Sequence, residues 1–258
     1  MDFSSANADL RDWSVICLRP AMQQAAMRHQ VKARAGRHIT LPGIRLEALP
    51  ATAALAKALT CKAVVFTSPA AVYFAAQQLP LEAAAEQRTF AVGEGTARAL
   101  ARHRIRAIAP DHTAMHSEGV LALPQWNHVH GPVGLVTAPG GRGLIDAGLA
   151  ARGFDRIRAE VYRRVPPCPG ARQIATLCAS IKPRAVLISS GEALAGVLDA
   201  LPALARTILL QSVAVCSSTR LQHLAIECGF DTTITATAPT ARAMLDALAA
   251  HAARKTLR

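Results

Sequence analysis

The stretch VVFTSPAAV at residues 64–72 combines three signals from which the fold of this chain can be predicted. A short apolar run of this kind forms a buried strand, hydroxyl residues such as Thr67 and Ser68 cap helices, and an alanine-rich segment continues as a helix. The same order returns in VLISSGEAL at residues 186–194, with Ser189 and Ser190 in the equivalent places. Each stretch therefore predicts a strand that leads into the N-terminus of a helix.

A second pair of similar stretches lies at nearly the same distance. FAVGEGTA at residues 90–97 matches VAVCSSTR at residues 213–220. The offset is 122 residues between Ser68 and Ser190, and 123 residues between the threonines of the second pair. A nearly constant offset over several elements predicts two domains of the same architecture in one chain.

Valine- and isoleucine-rich runs alternate with longer alanine- and leucine-rich segments along the chain. Strands are predicted at 15–18, 63–67, 89–92, 105–109, 134–137, 157–162, 185–189, 213–215 and 232–236. Helices are predicted at 20–33, 51–59, 69–78, 96–102, 117–123, 143–152, 171–180, 192–201, 218–228 and 240–254. Apolar strands separated by helices are typical of a parallel sheet covered on both faces. The pattern predicts an α/β fold of two similar doubly wound parallel-sheet domains, flavodoxin-like or Rossmann-like.

Two segments, at 39–49 and 156–165, alternate apolar and polar side chains as half-exposed strands do. Pairing between them would make a two-stranded β linker between the domains. The limits then predicted are a discontinuous domain at 1–38 plus 168–258, an inserted domain at 45–158, and linker strands at about 39–47 and 157–166. Alternatively, both segments are ordinary edge strands.

The composition limits the partners of the chain. Lys and Arg number 29 against 17 Asp and Glu, so the formal net charge is +12, which favours an anionic partner or a basic surface without a specific role. Aromatic residues are only 4 % of the chain, too few for base stacking, so we expect no nucleic acid. Proline and polar residues break every long uncharged stretch, so we expect no membrane contact. Six scattered cysteines and the lack of a secretory signal favour the cytoplasm.

Small and hydroxyl residues recur where predicted strands give way to helices. They are Thr67, Ser68, Gly93, Thr96, Ser189, Ser190, Ser218 and Thr219. Such positions expose backbone N–H groups at the carboxyl edge of a sheet, where open α/β proteins bind their ligands. Two such edges would form an anion-binding groove, although each residue taken alone is more simply a helix cap.

Other patterns are less specific. The GEG turn at 93–95 resembles part of a dinucleotide-binding loop, but Arg98 occupies the third glycine position, so a nucleotide-dependent α/β enzyme is the lesser alternative. Arg142 follows a glycine turn and offers a contact for carboxylate or phosphate. The nine histidines are not accompanied by the cysteines or acidic residues of a defined metal-binding motif, and we expect no metal.

Tyr162 is one of only two tyrosines, and Arg163 and Arg164 follow it in the predicted linker. A phenol beside cations can donate a proton or a strong hydrogen bond to a leaving oxygen. The alternative is a tyrosine that only packs at a domain junction.

Taken in order, these motifs resemble those of the uroporphyrinogen-III synthase family. The resemblance covers about residues 13–250 and rests on the paired strand–hydroxyl–helix units, LRP at 18–20, VGEGTA at 92–97, GGR at 140–142, ARGF at 151–154 and VYR at 161–163. It implies two similar α/β domains, one inserted in the other, joined by a two-stranded linker.

The resemblance also implies an activity: cyclisation of linear hydroxymethylbilane, a polycarboxylate, to uroporphyrinogen III with inversion of the last pyrrole ring. Loss of hydroxide gives an azafulvenium, which closes through a spiro intermediate without metal or cofactor. Tyr162 takes the place of the family's tyrosine, which assists departure of the hydroxyl. The substrate-binding positions implied or expected are Arg19, Thr67, Ser68, Gly93, Thr96, Arg142, Ser189, Ser190, Ser218 and Thr219. We expect a cytoplasmic monomer of heme biosynthesis.

The second repeat departs from the family pattern. Cys216 stands where the family has glycine, Arg220 where it has alanine, and Ile188 and Ser189 where Phe and Thr are usual. These departures leave open a diverged, non-catalytic relative that binds a tetrapyrrole as sensor or carrier.

Overall fold

In a computed structural model the chain forms two compact units. Unit 1 comprises Met1–Arg45 and Val165–Arg258, and unit 2 comprises Leu46–Arg164. The structure describes residues 9–111, 117–140, 143–180 and 183–256. Unit 2 is therefore an insertion into the sequence of unit 1.

Strands and helices alternate along the chain, which confirms the predicted α/β class. The strands are β1 (Ser14–Cys17), β2 (Arg37–Thr40), β3 (Arg45–Ala48), β4 (Ala63–Phe66), β5 (Arg88–Ala91), β6 (Val133–Thr137), β7 (Arg156–Glu160), β8 (Tyr162–Val165), β9 (Arg184–Ile188), β10 (Val213–Cys216) and β11 (Thr233–Thr235). The helices are α1 (Gln24–Ala33), α2 (Thr52–Leu59), α3 (Pro69–Ala76), α4 (Glu94–Ala101), α5 (Ser117–Leu121), α6 (Leu144–Ala151), α7 (Ala171–Cys178), α8 (Gly191–Ala200), α9 (Ala203–Leu210), α10 (Thr219–Glu227) and α11 (Ala241–Thr256). None of these helices is long and apolar enough to cross a bilayer.

Unit 1 is built on a five-stranded sheet in the order β11-β10-β9-β1-β2, with every neighbouring pair parallel. All residues of β1, β9 and β10 are buried, because helices cover both faces of the sheet's centre. This explains why these three strands are almost entirely apolar in sequence. Their carboxyl ends lie side by side at one edge of the sheet.

Unit 2 has a four-stranded parallel sheet in the order β5-β4-β6-β7. Successive side chains of β4 enter two different cores, because neighbouring residues of a strand point to opposite faces. Val64 and Phe66 belong to one core, and Ala63 and Val65 belong to the other. The VVF run is apolar throughout because both faces are covered.

Helix α2 lies directly against β6 of this sheet. A Cβ atom built on Gly134 of β6 would lie only 2.2 Å from the carbonyl oxygen of Ala58 in α2. That separation is far inside van der Waals contact, so a residue with a side chain would force the helix away from the sheet.

The two segments predicted to pair do so over a shorter length than the sequence predicts. β3 pairs with β8 in a separate two-stranded sheet, but the predicted linker segments 39–47 and 157–166 each contain two strands. The first segment begins in β2 of the five-stranded sheet, and the second contains most of β7 of the four-stranded sheet. Proline and glycine at 42 and 43 end the first strand. In the second segment the N–H of Val161 still donates to the oxygen of Thr137, as in the β6–β7 ladder, whereas its own oxygen accepts from the N–H of Leu49, so the partner strand changes at Val161.

Two other predictions need correction. The strand predicted at 105–109 is a single bridge between Ile108 and Phe90, because Pro110 has no N–H with which to continue a ladder. Helix α9 was not predicted at all. Pro202 directly precedes it, and its apolar side is marked by the buried residues Ala205 and Leu209, four positions apart.

Candidate functional site

A cleft of ≈ 180 Å³ lies within unit 2 at the carboxyl ends of its parallel strands. We refer to it as the unit 2 cleft. Its polar lining includes Thr67, Ser68, Ser117, Thr137, Asp146, Arg158, Tyr162 and Arg164. Three of the predicted site residues, Thr67, Ser68 and Tyr162, are thus brought together, as expected for the edge at which α/β sheets bind ligands.

Ser68 and Tyr162 are joined by a hydrogen bond. The Oη atom of Tyr162 lies 3.0 Å from the Oγ atom of Ser68. Ser68 is also the N-cap of α3, where its Oγ accepts a hydrogen bond from the N–H of Ala71 at 3.0 Å. The tyrosine ring stacks on Phe74 with the centroids 5.4 Å apart and is only 3 % exposed. The phenol is therefore held at both its ring and its hydroxyl.

Thr67 is oriented by the neighbouring strand. Its hydroxyl donates to the Oγ1 of Thr137 at 3.0 Å, and its N–H donates to the oxygen of Val136 at 3.1 Å. Because β4 and β6 are adjacent, both hydroxyls lie at the same wall of the unit 2 cleft. These contacts give the cleft neutral hydrogen-bonding groups beside the tyrosine.

An ion-pair network borders the unit 2 cleft and was not predicted from the sequence. Arg158 lies 3.1 Å from Asp146 and 2.7 Å from Glu160, while Arg156 lies 3.3 Å from Asp146. The hydrogen bond to Glu160, together with Asp146, raises the pKa of Arg158, so this guanidinium stays charged and paired with the two carboxylates. The two-residue spacing of Arg158 and Glu160 in a strand was the only signal in the sequence, since residues so spaced share one face.

The turn before α4 differs from expectation. The helix begins at Glu94 rather than at Thr96, with Gly93 as its N-cap in an extended conformation. Glu94 favours this start because a carboxylate is stabilised at the positive end of a helix. Thr96 is consequently 3 % exposed within the first turn, and neither Gly93 nor Thr96 lines the unit 2 cleft.

Unit 1 has capping serines at the equivalent edge. Ser190 caps α8 by accepting from the N–H of Ala193 at 3.2 Å, and Ser218 caps α10 by accepting from the N–H of Leu221 at 3.4 Å. Because β9 and β10 are parallel neighbours, both serines lie at one edge of the sheet. The capping function predicted for them is present.

The remaining predicted positions are less well placed or fall elsewhere. Arg19, after β1, donates to the oxygen of Pro239 at 3.1 Å. Ser189 is half-buried and Thr219 is exposed beside the serine caps. Arg142 lies outside the described residues.

Cys216 ends β10 and is fully buried. Burial raises its pKa to about 11, so the thiol is neutral near pH 7 and is a poor nucleophile. Among the residues that the structure describes, no group of three His, Cys, Asp or Glu side chains is placed to hold a metal ion.

Comparison with known proteins relates the whole arrangement to one family. The model of the family described as "Uroporphyrinogen-III synthase HemD" matches residues 22–246. The fold is similar to that of a uroporphyrinogen-III synthetase from Helicobacter pylori, with a TM-score of 0.60 and 16 % identity over 93 % of this chain and 99 % of that one. It is also similar to a mutant uroporphyrinogen III synthase from the extremely thermophilic bacterium Thermus thermophilus, with a TM-score of 0.53 and 20 % identity over 94 % of this chain and 99 % of that one. A search of curated proteins gives no match.

Proposed function

Because the chain belongs to the uroporphyrinogen-III synthase family, whose members are lyases of tetrapyrrole biosynthesis, we propose that it cyclises hydroxymethylbilane to uroporphyrinogen III with inversion of the last pyrrole ring. The observation that best supports this proposal is the hydrogen bond between Tyr162 and Ser68 at the unit 2 cleft. The same proposal treats the two units as separate domains and expects a cytoplasmic monomer that needs no metal or cofactor.

The reaction begins when the hydroxyl of the substrate's hydroxymethyl group leaves. Tyr162 gives its proton to this hydroxyl, which departs as water, while the pyrrole nitrogen supplies the electron pair that forms the azafulvenium. Ring closure through the spiro intermediate follows, and the proton lost from the ring carbon as the pyrrole regains aromaticity restores the phenol. General acid catalysis of this kind contributes about 100- to 10,000-fold to a rate.

Ser68 stabilises the phenolate that Tyr162 becomes. The N–H of Ala71 donates to the Oγ of Ser68, which leaves the serine proton free to point at Oη of Tyr162. Successive hydrogen bonds in such a chain polarise each other, and the positive end of α3 adds to this effect. The tyrosine proton then remains available for the leaving hydroxyl.

Selection of the inverted product depends on positioning. The uninverted ring also closes spontaneously, so the enzyme must hold the bilane in the geometry that closes at the inverted carbon first. The hydroxyls of Thr67 and Thr137 are neutral. They can bind polar groups of the substrate without placing a negative charge beside the azafulvenium.

The proposal is tested by the isomer that the protein produces. Purified protein supplied continuously with hydroxymethylbilane should give isomer III, separated from isomer I by chromatography. A reaction without protein provides the spontaneous rate of isomer I. Isomer I alone at that rate contradicts the proposal, and bound tetrapyrrole without isomer III would indicate a non-catalytic relative.

Ser68→Ala should reduce both stability and turnover. Loss of the N-cap costs about 1 kcal/mol, and loss of the hydrogen bond to Tyr162 should lower turnover about tenfold. Ser190→Ala removes a cap of the same kind from α8 and gives the scale of the stability loss by urea unfolding. If Ser68→Ala loses stability on that scale but turns over at the wild-type rate, Ser68 acts only as a cap.

A further inference from the structure

β8 places its two arginines on opposite sides. Side chains alternate along a strand, so Tyr162 and Arg164 share one face while Arg163 points to the other. Arg163 donates from Nε and Nη2 to Oε2 of Glu47, at 3.1 Å and 2.9 Å. Arg164 instead lines the unit 2 cleft together with Tyr162. The two cations that follow the tyrosine in sequence therefore have different surroundings.

Arg164 also differs from the other arginine that lines the cleft. Arg158 is already bound by two carboxylates, those of Asp146 and Glu160. Arg164 has no hydrogen bond or ion pair within the described residues. Of the two described arginines in the lining, only Arg164 has a guanidinium free to bind an anion from solution.

We propose that Arg164 binds a carboxylate of the substrate next to the reacting carbon, an inference that rests on the proposed function. Residues two apart in a strand are roughly 7 Å apart, so the guanidinium and the phenol of Tyr162 can contact one ring of the bilane at the same time. That ring carries a carboxyalkyl group on the carbon beside the one that bears the hydroxymethyl group. Arginine suits this task because its planar fork binds a carboxylate through two parallel hydrogen bonds.

The contact should affect substrate binding more than the chemical step. The carboxylate keeps its charge throughout cyclisation, so Arg164 holds the substrate and the transition state about equally. A uniform contact of this kind lowers KM and leaves kcat nearly unchanged. This split distinguishes Arg164 from Tyr162, whose loss should reduce kcat.

Arg164→Gln should raise KM for hydroxymethylbilane about tenfold, with kcat within about twofold of wild type. Arg164→Lys keeps the charge but not the fork, and should give an intermediate KM. Arg163→Gln is the matched control on the opposite face, and its KM should stay within about twofold of wild type, because an exposed ion pair contributes little. The KM of Arg164→Gln should also depend less on salt than that of the wild type.

The outcomes separate this inference from the proposed function. If the wild type forms isomer III and Arg164→Gln has the wild-type KM, the role of Arg164 is overturned while the proposed function stands. If the wild type forms only isomer I, both fail together. Should Arg164→Gln not fold, as judged by circular dichroism, Arg164→Lys decides, and a KM equal to that of the wild type overturns the inference.

Discussion

Tyr162→Phe is expected to lower the kcat for uroporphyrinogen III formation by about 100-fold or more, because the variant has no proton to give to the leaving hydroxyl. The ring should keep its place, since its stacking on Phe74 does not involve the hydroxyl. Ser68 should keep its cap on α3, because that hydrogen bond comes from the N–H of Ala71. The free energy of activation should therefore rise by more than the free energy of unfolding falls.

The chain supplies a natural control for this experiment. Tyr73 is the only other tyrosine, and it lies in α3 with 49 % of its surface exposed. Tyr73→Phe should have the turnover of the wild type, and both variants should unfold within about 1 kcal/mol of it. Quenched single-turnover reactions measure the chemical step directly. A Tyr162→Phe rate equal to that of the wild type would remove the acid role from Tyr162 without affecting family membership.

Gly134→Ala is expected to cause the largest loss of stability that we predict, about 3 kcal/mol. The new methyl group would meet the carbonyl oxygen of Ala58 at 2.2 Å, and backbone cannot rotate away as a side chain can. Either α2 or β6 must shift, and both border the cores of unit 2. The thermal midpoint of the affected transition should fall by roughly 9 °C.

Gly95→Ala tests whether the loss of stability depends on the close approach of α2 to β6. A Cβ at Gly95 would lie 3.5 Å from Cγ of Pro69, which is ordinary contact, and the position is exposed in α4. Alanine is the better helix former by about 1 kcal/mol, so this variant should be as stable as the wild type or more so. If the Gly134→Ala protein has the same thermal midpoint as the Gly95→Ala protein, α2 does not pack on β6 as described.

Local sequence patterns predicted the strands better than the polar contacts. The VVF run is recognisable because both faces of β4 are covered, so its consecutive residues are all buried and all apolar. Ser68 was recognisable because a cap needs only a hydroxyl before a helix. The ion pair between Asp146 and Arg158 joins a helix to a strand, and no local pattern specifies which acid meets which base.

Competition between two similar local signals explains the error at α4. Thr96 and Gly93 are both suitable residues near a helix start, and the helix predicted at 96–102 begins at the threonine. In the structure Gly93 caps α4, whereas the second repeat is capped at Ser218, just before Thr219. In the two sheets Ala91 lies opposite Phe66 and Cys216 lies opposite Ile188, so Gly93 and Ser218 are equivalent caps, each two residues beyond these strand positions. The sequence comparison is therefore out of register by two residues at this turn, and the buried Thr96 and the exposed Thr219 are not structurally equivalent.

The pairing of β3 with β8 has a consequence for the order of folding. β1 and β9 are neighbours in the sheet of unit 1, yet the whole of unit 2 separates them in the chain. During synthesis, unit 2 is complete before β9 has emerged, so it can fold first. Once β3 and β8 have paired, the ends of this long insertion are joined. The entropy cost of bringing β9 to β1 then becomes that of closing a short loop rather than a long one.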